Sequence, residues 1–167
     1  MTSFPRRIAR GLVIAVVAGV LGASAAQAQV SYKFAYAAKF VCGAATPPPK
    51  SPGTLPVAPG YYYTAVNVHN PSTIELNQIQ KQLVIALPGE TVGSKSGLKQ
   101  ESLKADDAME IDCPDITKAL DSVGKFVKGF VVIRSTAELD IVAVYTAAAS
   151  ISGTVVSMTL ERVPKRP

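Results

Sequence analysis

The stretch FVVIRSTAELDIVAVYTA, residues 130–147, constrains the chain more than any other. Its two runs, 130–133 and 139–144, are apolar on both faces and rich in β-branched residues, so each needs cover on two sides. Arg134, Glu138 and Asp140 sit at or beside the connection between them. Neither run is long enough to cross a bilayer as a helix, which takes about 20 apolar residues. A membrane barrel would require at least about eight strands of about ten residues each. Left in water, the stretch would be an aggregation hazard. The expectation is therefore two adjacent antiparallel strands, joined at 135–138, in the core of an all-β domain.

The N-terminus bears on where that domain resides. Arg6, Arg7 and Arg10 precede an apolar run from Leu12 to Leu21, and small residues follow up to Ala26-Gln27-Ala28. This order predicts a secretory signal peptide over 1–28, cleaved at an Ala-x-Ala site, with the mature chain starting at Gln29 as a single domain over 29–167. No integral membrane span is expected after its removal, and the location is periplasmic or secreted. The whole chain carries 17 Lys and Arg against 12 Asp and Glu, a formal charge of +5. Losing the three leader arginines reduces it to +2. The remaining lysines are scattered among carboxylates, whereas nucleic acid is held by a dense basic patch, so no nucleic-acid partner is expected.

Export also sets the reading of Cys42 and Cys113. An even pair of cysteines in a small domain of an oxidising compartment predicts one disulfide. A reactive or metal-bound thiol has no support from a Cys-x-x-Cys motif or from the lone His69. The bond ties the end of a first strand, KFVCG, to the end of a middle strand, MEIDC, and closing so long a loop is worth roughly 4 kcal/mol in the chain-entropy account.

Strand patterning dominates the rest. Residues 31–42 alternate with aromatics, and ATPPPKSPGTLPVAPG (45–60) breaks the pattern as a loop. In 61–70, Tyr62, Thr64, Val66 and Val68 share one face. Residues 74–88 place Ile74 and Leu76 in one phase and Ile79, Lys81, Leu83, Ile85 and Leu87 in the other, which calls for a strand with a bulge near Asn77-Gln78. GETVGSKSGLKQ reads as a loop, 108–112 as a short strand, and PDITKALDSV as one or two helical turns led by Pro114 and Asp115, with Ile116, Leu120 and Val123 behind. The final strand, within 152–163, opposes Val156, Met158 and Leu160 to a wet face of Ser157, Thr159 and Glu161. About seven strands, one short helix and one disulfide predict an antiparallel two-sheet sandwich.

YTAVNVHNP (63–71), ADDAMEIDCPDI (105–116) and FVKGFVVIRSTAELDIVAVYT (126–146) together resemble a group of small exported bacterial proteins, mostly uncharacterised, with an immunoglobulin-like outline. The resemblance implies that sandwich outline and assigns no catalytic or ligand-binding residue. Two immunoglobulin hallmarks are missing, since the chain has no tryptophan and has Ile111 where a tyrosine would precede the second cysteine by two residues.

Motifs for chemistry are sparse. GETVGSKS (89–96) departs from a phosphate-binding loop by Ser94 in place of its second glycine. A serine-type triad requires a histidine beside its serine and carboxylate, and His69 lies at a strand end. The acidic region 106–115, with Asp106, Asp107, Glu110, Asp112 and Asp115, lacks the spacing of a calcium loop. No cofactor, metal or catalytic residue is therefore expected. Tyr61, Tyr62 and Tyr63 cannot all enter a core, because adjacent strand residues alternate in direction, so they are the candidate interface. The expected function is a non-catalytic binding or assembly module of the cell envelope with a protein partner. The alternatives are a carrier of a small apolar or carbohydrate ligand, or an enzyme using the acidic 106–115 region.

Overall fold

Alternation in the first strand puts Tyr36, Ala38, Phe40 and Cys42 on one side, and these are the side chains that are buried. The structure, a computed structural model, describes residues 30–45, 57–149 and 154–166, so the signal peptide expected over 1–28 and the proline-rich 46–56 lie outside the described residues. In chain order the elements are β1 (Phe34–Ala45), β2 (Gly60–His69), β3 (Leu76–Ala86), β4 (Val92–Lys95), β5 (Lys99–Leu103), β6 (Ala108–Asp112), α1 (Cys113–Ala119), β7 (Val127–Ser135), β8 (Asp140–Ala148) and β9 (Val155–Arg162). The fold is all-β and antiparallel, with one short helix and one disulfide.

The nine described strands form one hydrogen-bonded path, β4-β3-β7-β1-β2-β8-β9, with β5 beside β3 and β6 beside β2. The two ladders are therefore joined, and β1 is the joint. Its residues 34–42 pair with β7, and Gly43, Ala44 and Ala45 pair with β2. Gly43 has φ 98°, and a Cβ there would stand 2.6 Å from the Lys125 carbonyl oxygen, so the switch between ladders requires glycine. A single buried cluster draws Phe40, Ile79, Val131 and Ile133 from one half of the path and Val66, Val68, Ile111 and Ile141 from the other, with Ile116 of α1 closing one end.

Where β1 leaves β2, a side chain replaces the ladder. The buried Thr64 hydroxyl accepts from the Val41 N–H (3.0 Å) and donates to the Val41 carbonyl (3.1 Å), satisfying both of its backbone groups. The Cys42–Cys113 bond, with Cα atoms 5.5 Å apart, ties the same point to the first turn of α1, and the Thr64 N–H points at Cys113 Sγ (3.1 Å). Asp112 caps α1 by accepting from the Asp115 N–H, and the Asp115 carboxylate returns a bond to the Asp112 N–H.

The expected 130–147 hairpin is corrected. β7 lies between β3 and β1, and β8 between β2 and β9, so the two runs belong to different ladders. Both edges of each are taken, and the connection has none of the Asn-Gly or Gly chemistry of a tight hairpin. It arches instead, with the Ser135 hydroxyl donating to the Ala137 carbonyl and the Leu139 N–H donating to the Tyr36 hydroxyl (2.9 Å).

Three further segments differ from expectation. The stretch expected as a loop, 89–100, holds β4 and the start of β5, which accounts for nine strands in place of seven. α1 stops at Ala119, leaving Val123 exposed beyond the left-handed Asp121. In β9 both faces are exposed over 157–162, because no described element covers it. The bulge in β3 is present as a register shift between Leu76 and Ile79, and it lets both residues enter the core.

Urea unfolding of the oxidised protein checks the joint and the core together. Thr64→Val keeps the shape but strands the Val41 backbone groups, at an expected cost of about 1–3 kcal/mol. Ile141→Ala, at a site 1% exposed, should cost about 2–5 kcal/mol, and Ser157→Ala on exposed β9 less than about 0.5 kcal/mol.

Candidate binding surface

The three candidate tyrosines occupy the start of β2, where β1 has just joined it, and the alternation of the strand gives each a different role. Tyr62 turns inward: its ring meets Phe126 edge-on (centroids 6.0 Å apart) and its hydroxyl donates to the Ala58 carbonyl (2.6 Å). Tyr61 and Tyr63 turn outward, 52% and 41% exposed. Tyr62 therefore covers the end of the domain from within, and its neighbours are left for solvent or a partner.

Tyr63 is held in one orientation. Its hydroxyl donates to Asp112 Oδ2 (2.9 Å), the carboxylate that also caps α1. Burial and then this bond to a carboxylate push the phenol up to about 12. Beside Tyr61, Tyr62 and Tyr63 lies an open depression of about 700 Å³, walled by the disulfide, Pro114, Thr117, Val123 and Lys125. Cys42, Cys113 and the tyrosines are thus brought together, which spacing in the sequence does not reveal.

A smaller depression of about 320 Å³ shares Tyr62 and Tyr63 with the first and has Lys39, Val41, Thr64, Tyr145 and Glu161 around it. The Tyr145 hydroxyl donates to Glu161 Oε2 (2.9 Å), and burial together with that carboxylate raises its pKa. No sequence motif marked Tyr145; its pairing with Thr64 across β2 and β8 places it there.

The acidic region divides. Asp107 accepts from the Lys104 N–H in the turn before β6, Asp106 lies 3.8 Å from the half-buried His69, and Asp112 and Asp115 cap the helix. Glu110 and Asp115 border a third cleft of about 650 Å³, across which Glu101 binds Lys81 and Lys99 (3.1 and 2.9 Å). Burial alone would raise the Glu101 carboxyl, but the two lysines outweigh it and hold it below the usual carboxylate range. A carboxylate so held is ionised at neutral pH and makes a poor proton donor. Among the described residues no three His, Cys, Asp or Glu side chains cluster as a metal ion would require. GETVGSKS runs into β4, so the strand-to-helix turn of a phosphate loop is not formed there.

Among the described residues, no helix is long and apolar enough to cross a membrane. No protein family, curated protein or solved structure compared with the chain matches it.

The Tyr63 environment gives a pH-dependent signature. The folded state favours the neutral phenol, so this contribution to stability is complete below pH 10 and is lost as pH rises through about 12. Titration of individual tyrosine ring resonances should find Tyr63 near that value. Asp112→Asn, which preserves the cap but removes the charge, should return it toward 10.

Proposed function

We propose that the protein is an exported, non-catalytic binding or assembly module of the cell envelope, which engages a protein partner through Tyr61, Tyr63 and the depression beside them. The observation that carries the reading is the placement of two exposed tyrosines on a surface held by a disulfide. Tyrosine brings a large contact area with few rotatable bonds and a polar tip, which suits an anchor at an interface. A rigid foundation lowers the ordering cost on binding. Export rests on the leader-like N-terminus, and the disulfide fits an oxidising compartment. Kinship with small exported proteins of immunoglobulin-like outline is part of the same proposal.

A second reading, a carrier of a small apolar or carbohydrate ligand, is favoured by one observation. The depression at Tyr145 falls within the volume range of ligand pockets and combines aromatic rings with a few polar groups.

Two measurements check the proposal. The intact mass of protein recovered from the envelope should correspond to residues 29–167, and a mass of the whole chain would contradict export with cleavage. Affinity capture from envelope extracts should retain a protein partner, and Tyr61→Ala with Tyr63→Ala should lose it while circular dichroism shows the fold retained. Capture unaffected by both substitutions would exclude this surface.

A further inference from the structure

The outer strands of the sheet differ in how their edges are defended. β4 is four residues long and ends in Lys95, β5 carries Lys99 and Glu101, and β6 carries Glu110 and Asp112. Shortness and charge discourage pairing with another chain. β9 has eight residues with no charge before Glu161; among the described residues it is hydrogen-bonded to β8 alone, and the chain beyond it bridges from Arg166 to Ala35 of β1. Its Met158 and Leu160 are 64% and 63% exposed.

The ladder fixes which backbone groups of β9 are open. The Val163 N–H donates to the Ile141 carbonyl (2.9 Å), and the β8–β9 register is unbroken from Val142 opposite Arg162 to Ala147 opposite Ser157. Antiparallel pairs alternate between exchanging both bonds and exchanging none. Odd-numbered residues of this stretch therefore direct their N–H and C=O groups at β8, and those of Met158, Leu160 and Arg162 point to the free edge.

An antiparallel strand can dock on that edge only if its own open residues face these. A second copy of β9 meets the condition when the two-fold axis passes through Thr159. Met158 then faces Leu160 of the second copy, twice by symmetry, and Ser157 faces Glu161, so no like charges stand opposite each other. The rows behind the edge, an apolar one of Leu160 with Val144 and Ala65 and a mixed one of Met158 with Thr146 and Tyr63, become continuous across the junction.

We infer that the chain forms a two-fold dimer by antiparallel pairing of β9 with β9 of a second copy, centred on Thr159, which joins the two sheets into one. A second copy fits as the occupant because both strands then satisfy the same open groups, set Met158 against Leu160 and place no like charges opposite each other. The pairing uses the backbone edge of β9 and not the depression at Tyr61, although the row it extends ends at Tyr63 of the partner surface proposed above.

Sedimentation equilibrium of the oxidised protein should give a dimer, and Met158→Lys should weaken it at least about tenfold. The urea midpoint of dilute Met158→Lys protein should match that of the parent, showing that the fold is intact. The register has its own test. Facing Thr159 residues form a pair that exchanges no hydrogen bonds, with Cα atoms about 4.5 Å apart, within disulfide reach. Thr159→Cys should therefore yield a disulfide-linked dimer with the Cys42–Cys113 bond retained, and Ser157→Cys should not. A monomer at every attainable concentration, a dimer indifferent to Met158→Lys, or preferential cross-linking through Ser157→Cys would each overturn the inference.

Discussion

The fold depends on one strand serving two ladders. β1 must leave β7 after Cys42 and enter β2 at Gly43, and a backbone that changes partners exposes the polar groups next to the change. The Thr64 hydroxyl takes both groups of Val41, and Gly43 supplies the positive φ where a side chain would strike Lys125. The disulfide holds the same place to α1 and removes entropy from the unfolded chain, roughly 4 kcal/mol for a loop of this length. The buried cluster then fills from both sides of this joint.

Much of the local structure was legible because it depends on neighbours in sequence. Period-2 patterning in 61–70 identified Thr64, Val66 and Val68 as inward, and the phase change between Leu76 and Ile79 located a bulge. Pro114 and Asp115 marked the helix start, and an even pair of cysteines pointed to their own bond. What was not legible depends on pairing between distant segments. The runs at 130–133 and 139–144 look like a hairpin until the partners β1, β2, β3 and β9 occupy their edges. β4 looked like a loop because Gly93 and Ser94 suit turns. Glycine is used there because a Cβ at 93 would lie 2.2 Å from the Ile85 carbonyl oxygen. Asn70 read only as a turn signal, yet it is buried and its side-chain amide donates to the carbonyls of Ile74, Leu103 and Lys104, locking the end of β2 to the β5–β6 turn.

The candidate surface shows the same division. Alternation alone requires that the three adjacent tyrosines not share one side, but only the fold determines which are outward. Tyr62 packs on Phe126, a residue whose position is set by the return of the chain into β7 beside Gly43. Tyr63 is fixed by Asp112, whose main task is to cap α1. The disulfide, the cap and the exposed tyrosines thus form one connected patch, and rigidity at the joint of the sheet is transmitted to the surface offered for binding.

Native-state hydrogen exchange at the joint tests this account most directly. The Val41 amide is held by a hydroxyl and the Thr64 amide by a sulfur, so neither has a ladder partner to protect it. If β1 binds the two halves of the sheet into one cooperative unit, both amides should exchange only through global unfolding, as slowly as those of Val131 and Ile141 in the core ladders. Exchange of Val41 and Thr64 through a low-energy local opening, while the core amides remain protected, would show that the halves are held together elsewhere.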